Sequence, residues 1–499
     1  MRLFELLLLL SNVAVLLLLI FSKKNNPIKL LIASMISTLL LIVHLTVEGY
    51  RVQIFFPYCI TIAFLAVSVY DYFKPITLKT PRLLSVSVHV ITAILLLVTA
   101  GFMYAFPVFK LPEPTGSQKI GTQTFHFVDE NRDETFDGDQ NGKRELMVQV
   151  WYPAQNEKGK ISPFMPGGKK MLNEEPIAKE TGIPMMFMDY LKYIPSHSYE
   201  GSEISTSSHS YPLIILNHGY GSSKAYHTSQ AENLASQGYI VASIDHTYST
   251  FTTVFPDGKT TIMKTDEELI DEPKYRDIVG SVWTKDVSFT IDQLENINSG
   301  NIPSIFKGKL DLSNIGIFGH SFGGAAAYDS AHDSRIKAGI DLDGSLYHYK
   351  DIEGIVKPFM FIFTERTFDF YNKARQHYFY TDKELEALGV TREQSTEDLK
   401  NAELQVEHLK KVANHGGQIL YIENTQHYNF ADLQFYSPLL QTIGLTGKIN
   451  PKRSASIVNE YTLDFFNKYL KSKGGSLLQG PNGEYPEMKF ASSLFAEEE

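Results

Sequence analysis

Four long apolar runs crowd the first 109 residues of this 499-residue chain, and they limit its folding options more than any other feature. They are Leu3 to Phe21, Leu30 to Val47, Ile54 to Tyr70 and Leu83 to Phe106. Each is close to the ~17–25 residues that a helix needs to cross the hydrocarbon core of a bilayer. The predicted transmembrane region is therefore 1–109, with spans at about 3–21, 30–47, 54–70 and 83–106. Glu5, Asn12, His44 and His89 interrupt the runs. Interfacial placement or interhelical hydrogen bonding accounts for them more simply than an ion pathway does. The first run is read as a retained helix. Its ending, Ser22-Lys23-Lys24-Asn25-Asn26, lacks a small-x-small cleavage site, and three more spans follow.

Loop charge sets an expected orientation. The first loop carries Lys23, Lys24 and Lys29, and the third carries Lys74, Lys79 and Arg82. The second carries only Arg51, and the N-terminus only Arg2. Basic loops stay on the cytoplasmic side. Loops one and three are then inside, and everything after Phe106 is outside. The expected location is the cell membrane, multi-pass, with an extracytoplasmic soluble region.

Composition removes several function classes. The length suits roughly two to four domains. An apolar fraction of 43% and a charged fraction of 20% exclude a disordered or collagen-like chain. A net charge of −10 offers no basic surface for nucleic acid. The one cysteine, Cys59, excludes an intramolecular disulfide and a cysteine-rich zinc site.

Past residue 109 the pattern changes. Leu111-Pro112-Glu113-Pro114-Thr115-Gly116-Ser117 reads as a linker, bounded at 110–122, and a soluble domain follows over 123–475. The stretch 476–499 reads as a loose tail. Phe125 to Val128 and Glu145 to Tyr152 read as two paired strands. Between them, Asp137-Gly138-Asp139-Gln140-Asn141-Gly142 resembles the start of a calcium loop. Its twelfth position is Val148, where a bidentate Glu is needed, so a solvated hairpin loop is the preferred reading.

Six short apolar strands follow: Pro212 to Leu216, Tyr239 to Ile244, Ile315 to Phe318, Ala338 to Leu342, Pro358 to Phe363 and Gln418 to Ile422. Strands apolar on both faces lie inside a parallel sheet covered by helices on each side. Trp283 to Ile297, with apolar residues at 283, 287, 291 and 294, supplies one covering helix, and Tyr461 to Leu470 supplies another. The predicted fold class is a doubly wound, mostly parallel α/β domain behind a four-helix transmembrane region.

The chemistry gathers at the ends of those strands. Gly319-His320-Ser321-Phe322-Gly323-Gly324 follows the strand ending at Phe318 and precedes the Ala-rich stretch Ala325 to Ala331. This is G-x-S-x-G in the strand–turn–helix context that makes it a nucleophile turn. The serine sits in a cramped bend whose neighbours must lack a β-carbon, and the helix N-terminus beneath favours developing negative charge. Asn217-His218-Gly219-Tyr220-Gly221 follows the strand ending at Leu216. The backbone N–H groups of Tyr220 and Phe322 are the candidate oxyanion donors. His218 is read as organising that loop. His427, just past the last core strand, is the candidate general base. For the acid, Asp341 and Asp343 end one strand and Glu365 ends the next. Position alone leaves Asp343 and Glu365 equal.

Three pieces in combination resemble the platelet-activating-factor acetylhydrolases, the secreted and intracellular type II enzymes of group VII phospholipase A2. They are Gly319-His320-Ser321-Phe322-Gly323-Gly324, Leu342-Asp343, and His427-x-Asn429-Phe430-x-Asp432. The stretch Arg144 to Pro153 resembles that family's opening strand, and the similarity runs from about Phe125 to about Leu470. The resemblance, closest to a membrane-anchored bacterial-type member, implies an α/β-hydrolase fold and a Ser321–His427–Asp343 triad. It implies hydrolysis of short or oxidised acyl esters on phospholipids, with no cofactor and no metal. Two regions depart from the family: the four spans, and the insert 366–416. The insert carries Phe368, Phe370, Tyr371, Tyr378, Phe379 and Tyr380 among many charges and reads as a cap or lid. Its His377, His408 and His415 show no metal-ligand spacing. The expected partners are a lipid or small ester substrate and the bilayer. Two rival readings remain: a membrane sensor or binding protein with a degenerate hydrolase domain, and a serine peptidase or acyltransferase.

Overall fold

The structure is a computed structural model that describes residues 2–21, 27–74, 81–137, 142–174, 176–350 and 352–496. The chain divides into two compact units. One comprises Met1–Lys110, Ile177–Ile194 and Tyr436–Leu439; the other comprises Leu111–Pro176, Pro195–Phe435 and Leu440–Glu499.

The first unit is built on α1 (Leu3–Phe21), α2 (Pro27–Val43), α3 (Phe55–Phe73) and α4 (Arg82–Ala105). A π-helical turn, His44–Glu48, extends α2. All four are long and apolar enough to cross a membrane. Their polar residues bond between helices. Asn12 donates to Thr61 (2.9 Å), and His44 shares a hydrogen bond with Tyr58 (2.8 Å). Buried Glu5 accepts from Arg51 (2.8 Å) and Arg2 (2.8 Å). Each bond replaces water that an apolar setting does not supply. Lys23, Lys24 and Lys79, used above for orientation, lie outside the described residues, as does most of the 137–142 loop.

Sequence patterning overlooked one contributor to this unit. A 3₁₀ segment, Met185–Tyr193, comes from far along the chain. Phe187 stacks on Phe106 at 5.6 Å, Gln53 donates to the Phe187 carbonyl (2.7 Å), and Tyr193 donates to the Tyr50 carbonyl (2.6 Å). Nine residues are too few to register as a separate apolar run.

The second unit is an eleven-stranded sheet with helices on both faces. Its strands are β1 (Lys119–Asp133), β2 (Lys143–Ala154), β3 (Lys160–Pro163), β4 (Pro195–Glu200), β5 (Tyr211–Asn217) and β6 (Ile240–Asp245). A two-stranded ribbon, β7 (Thr252–Val254) and β8 (Thr260–Ile262), stands apart. Then come β9 (Leu310–His320), β10 (Ile336–Leu342), β11 (Phe359–Thr364), β12 (Gln418–Ile422) and β13 (Met488–Phe490). The order is β13-β12-β11-β10-β9-β5-β6-β2-β1-β4-β3. The six strands from β12 to β6 run parallel, as buried, two-sided apolar strands must. From β5 the chain moves to β6 on one side and returns as β9 on the other. Such a reversal opens a crevice at the carboxyl ends of the strands.

A short helix, α6 (Pro176–Thr181), belongs to the first unit from Ile177 onward; the helices of the second unit are α5 (Gly168–Leu172), α7 (Thr228–Ser236), α8 (Pro273–Ser299), α9 (Phe322–Ser330), α10 (Glu365–Arg375), α11 (Asp382–Leu388), α12 (Arg392–Asn414), α13 (Pro451–Lys471) and α14 (Ser492–Phe495). Side chains alternate across the sheet and make two cores. Leu213, Ile215, Ile315 and Ile317 pack with Val287 and Ile291 of α8. Ile214, Leu216, Phe318 and Ile340 pack on the other face with Leu234 of α7 and Ile457 of α13. The insert 366–416 folds as α10, α11 and α12. Leu399, Ala402, Val406 and Leu409 join the first core, so the insert covers the sheet as a packed layer.

Two expectations need correction. The stretch 110–122 is no free linker: β1 begins at Lys119, and the Thr115 and Gly116 N–H groups donate to Asn233 and Ser236 of α7 (2.9 and 3.0 Å). The tail from Ser476 is not loose through Ala496. β13 pairs antiparallel with β12, and buried Leu478, Met488 and Phe495 anchor it. Its Gly, Ser and Glu content hid these widely spaced apolar anchors.

Candidate active site

β9 ends at His320 and α9 begins at Phe322, so the chain must turn within Ser321. Ser321 has φ 57° and ψ −126°, a conformation that costs a non-glycine residue of order 1–3 kcal/mol. Tight packing holds it there. A Cβ on Gly319 would lie 2.1 Å from the Gly323 carbonyl oxygen, and one on Gly323 would lie 2.3 Å from the His218 carbonyl oxygen. The Ser321 N–H donates to the Leu342 carbonyl (2.9 Å), and its own carbonyl accepts from Gly324 (2.8 Å). Its side chain makes no capping bond to α9, which leaves Oγ for the crevice.

The loop after β5 lies against this turn. A Cβ on Gly219 would sit 3.3 Å from the Ser321 Cβ. The Gly219 carbonyl accepts from Nδ1 of buried His218 (2.7 Å) and from the Ser222 N–H (3.0 Å). His218 Nε2 accepts from the His246 N–H (3.3 Å), which fixes the proton on Nδ1. Burial holds His218 well below the ordinary histidine range, so the ring is neutral. The Gly219 C=O and the Tyr220 N–H belong to one planar trans peptide and point opposite ways. Holding the carbonyl therefore aims the amide. Among the described residues, neither the Tyr220 nor the Phe322 N–H has an acceptor.

Asp343 and His427 come together from different strand ends. His427 Nδ1 lies 2.7 Å from Asp343 Oδ2. Asp343 Oδ1 accepts from the Thr364 N–H (2.7 Å). The carboxylate is buried and the imidazole half-exposed. Glu365, the other acid considered, is exposed and accepts from the Asn424 N–H at 3.4 Å. Asp341 is buried and accepts from the Gly344 N–H (2.7 Å). Burial pushes its carboxyl well above the ordinary range.

Sequence reasoning assigned no role to His320. Its ring lies 4.5 Å from that of His427, and its Nε2 donates to the His427 carbonyl (3.0 Å). Burial keeps it neutral, which spares His427 a charged neighbour. Its place between Gly319 and Ser321 was the available signal. A buried group behind the loop that follows β5 was also missed. Trp283 stacks on His246 (3.8 Å) and meets Phe322 edge-on (4.9 Å), and Asp286 holds His246 (3.0 Å) and Arg144 (2.6 Å).

No cluster of metal ligands adjoins this crevice among the described residues. One trio able to hold a metal, Glu5, His44 and Glu48, lies in the first unit. Arg51 and Arg2 already pair with Glu5 there. In the insert, His408 is spent on Tyr328 and the Tyr349 carbonyl, and His377 on Glu403.

Comparison with known proteins gives a consistent picture. The family model of platelet-activating factor acetylhydrolase, isoform II, matches residues 103–480. A guinea-pig (Cavia porcellus) platelet-activating factor acetylhydrolase is 28% identical over 280 residues, which is 52% of this chain and 58% of that protein. A probable 1-alkyl-2-acetylglycerophosphocholine esterase of the fungus Arthroderma benhamiae is 24% identical over 403 residues, 77% of this chain and 94% of that one. Among solved structures, a ferulic acid esterase from Streptomyces cinnamoneus superposes with a TM-score of 0.57 at 25% identity, covering 76% of this chain and 98% of its own.

Proposed function

The chain belongs to the platelet-activating factor acetylhydrolase, isoform II, family, and from that premise we propose that it is a serine carboxylic ester hydrolase acting on lipid esters. The observation that carries this reading is the 2.7 Å His427–Asp343 hydrogen bond at the sheet edge where Ser321 turns at φ 57°. His427 takes the Ser321 proton as Oγ attacks the ester carbonyl. Asp343 orients the ring and stabilises the imidazolium. The Tyr220 and Phe322 N–H groups receive the oxyanion. The protonated imidazole then gives its proton to the departing alkoxide, and water releases the acyl group from Ser321. The fungal relative's name favours a short acyl group at the second position of a glycerophospholipid.

In this reading α1 to α4 anchor the enzyme in the membrane, with the hydrolase outside. Lys29, Lys74 and Arg82 at the loop-one and loop-three ends support that orientation. A lipid ester partitions into the bilayer, so tethering raises its local concentration. A charged, impermeant fluorophosphonate should label Ser321 on intact cells. Labelling only after lysis would reverse the orientation.

A p-nitrophenyl acetate assay with a fluorophosphonate probe tests the triad. Ser321→Ala should lose the label and lower turnover by roughly 10⁶ if the triad acts as a unit. An unlabelled wild-type chain would favour a binding protein instead.

A further inference from the structure

We infer that His348 is a positioning residue for the reaction: it pins the loop after β10 to α8 and α9, and that loop holds the turn at Ser321 and Phe322 in place. The inference rests on the ester-hydrolase reading above.

The loop begins at Asp343 and meets the turn twice. A Cβ on Gly344 would lie 2.5 Å from the Ser321 carbonyl oxygen, so the two backbones are in direct contact there. Three residues on, the ring of fully buried Tyr347 lies 4.9 Å from that of Phe322. A Cβ on Gly280 of α8 would come within 2.5 Å of the same Tyr347 ring, so α8 closes on it as well. Tyr347 therefore stays against Phe322 for as long as the loop stays against α8. Phe322 supplies one of the two proposed oxyanion donors, so a shift of the loop reaches the transition state through that amide.

His348 fastens the loop with every N–H-bearing position it has. Its Nδ1 lies 2.5 Å from Asp329 Oδ2 on α9, and its Nε2 lies 3.0 Å from Ser281 Oγ on α8. Its backbone N–H donates to Asp277 Oδ1 on α8 (3.1 Å). The residue has φ 54°, in the left-handed region that favours glycine. Such a conformation persists only where the surroundings hold it, and these three bonds do so.

Charge decides how firmly the loop is held. The bond from Asp329 holds the His348 imidazole above the ordinary histidine range, against the cost of burial. Burial pushes the Asp329 carboxyl up, and His348 is the chief group that opposes it. Asp329 Oδ1 has no hydrogen-bond partner among the described residues, so this carboxyl leans on the imidazole. A protonated ring donates from both nitrogens, to Asp329 and to Ser281; a neutral ring donates from one. The surrounding charges do not reverse this. Asp277 on α8 favours the proton, Arg276 on α8 and Lys350 on the loop face the Tyr349 ring (5.7 and 5.6 Å), and His332 beyond α9 is bonded to the Glu353 carbonyl (2.8 Å). The pin is thus whole at low pH and weakens as pH rises through the raised value of His348.

Initial rates on p-nitrophenyl acetate across pH test this, with the full chain in detergent and spontaneous hydrolysis subtracted. On the alkaline side kcat should fall by up to roughly 10²–10³, the loss of one oxyanion donor, with KM nearly constant. Asp329→Asn should move that fall to lower pH, and Ser281→Ala should move it the same way by less. His348→Gln, which does not titrate, should flatten it. A wild-type profile with no alkaline fall overturns the proposal, as does a fall that keeps its place in Asp329→Asn and His348→Gln, or an effect confined to KM. Should those two variants fail to fold, a fall left unmoved by Ser281→Ala overturns it. Fluorophosphonate labelling separates the failures: a chain labelled at Ser321 with an unmoved profile remains a hydrolase without this pin, and an unlabelled chain removes both readings.

Discussion

At the scale of single residues, strain at Ser321 persists because its surroundings admit no other path. Gly324 shows how tightly: a Cβ there would fall 2.0 Å from Asp341 Oδ1. Asp341 cannot retreat, since it is fully buried and its Oδ1 already holds the Gly344 N–H. Gly324→Ala should therefore destabilise the fold by about 1–3 kcal/mol, the range for overpacking, as read from a denaturant midpoint. The carboxyl that meets His427 is that of Asp343, while Asp341 holds the Gly344 N–H. His218 acts at one remove, by clamping the Gly219 carbonyl and so aiming the Tyr220 amide. His218→Ala should lower kcat on p-nitrophenyl acetate by up to roughly 10²–10³, the loss of one oxyanion donor, with KM nearly constant. A change confined to KM would show that this amide does not meet the transition state.

At the scale of elements, the site stands on buried polar structure that joins two neighbouring strands to a helix. Arg144 on β2 donates to both carboxylate oxygens of Asp286 on α8 (3.1 and 2.6 Å), and Asp286 in turn holds His246 after β6. Arg144 holds the Asp286 carboxyl well below the ordinary range against the opposing cost of burial. Arg144→Met would leave that buried carboxylate short of its main counter-charge and should cost about 3–5 kcal/mol, measured by urea unfolding in detergent. This network explains the limits of sequence reading. The core strands were legible because β5, β9, β10 and β11 are apolar on both faces and each ends at, or just before, a polar residue: Asn217, His320, Asp343 and Thr364. The tight turn at Ser321 was legible because Gly319, Gly323 and Gly324 have no substitute at such contact distances. Asp343 could not be separated from Glu365 by position, because only the folded sheet shows which carboxylate meets His427. Arg144 lies far in sequence from Trp283 and Asp286 of α8, and their meeting depends on long-range strand order. The same holds for the segment Met185–Tyr193, whose partners Tyr50, Gln53 and Phe106 lie beside the ends of the apolar helices.

At the scale of the whole molecule, one buried carboxyl links stability to pH and does so at the segment carrying His427. Asp432 lies five residues past His427 and clamps the first turn of α7, accepting from the Ser229 N–H (2.9 Å) and the Ser229 hydroxyl. Burial pushes its carboxyl up to about 7 from an ordinary 3.8, although the Ser229 bonds pull the other way. The folded state therefore holds a proton that the unfolded chain gives up at a lower pH. Between about 4 and about 7 the native form binds more protons, and linkage makes its stability fall as pH rises. The contribution is complete below about 4 and lost as pH passes through about 7. Asp432→Asn keeps a neutral group of the same shape and removes the titration. The difference in unfolding free energy between the Asn variant and the wild type should thus grow in the variant's favour from pH 4 to pH 8, with other titrating groups cancelling in the subtraction. Chemical denaturation in detergent across that range measures it, and a difference that stays constant with pH would show that Asp432 ionises in the folded protein as it does in the open chain. Because Asp432 ties the His427 segment to α7, the wild type should also lose esterase activity on standing at pH 8 sooner than the Asn variant does.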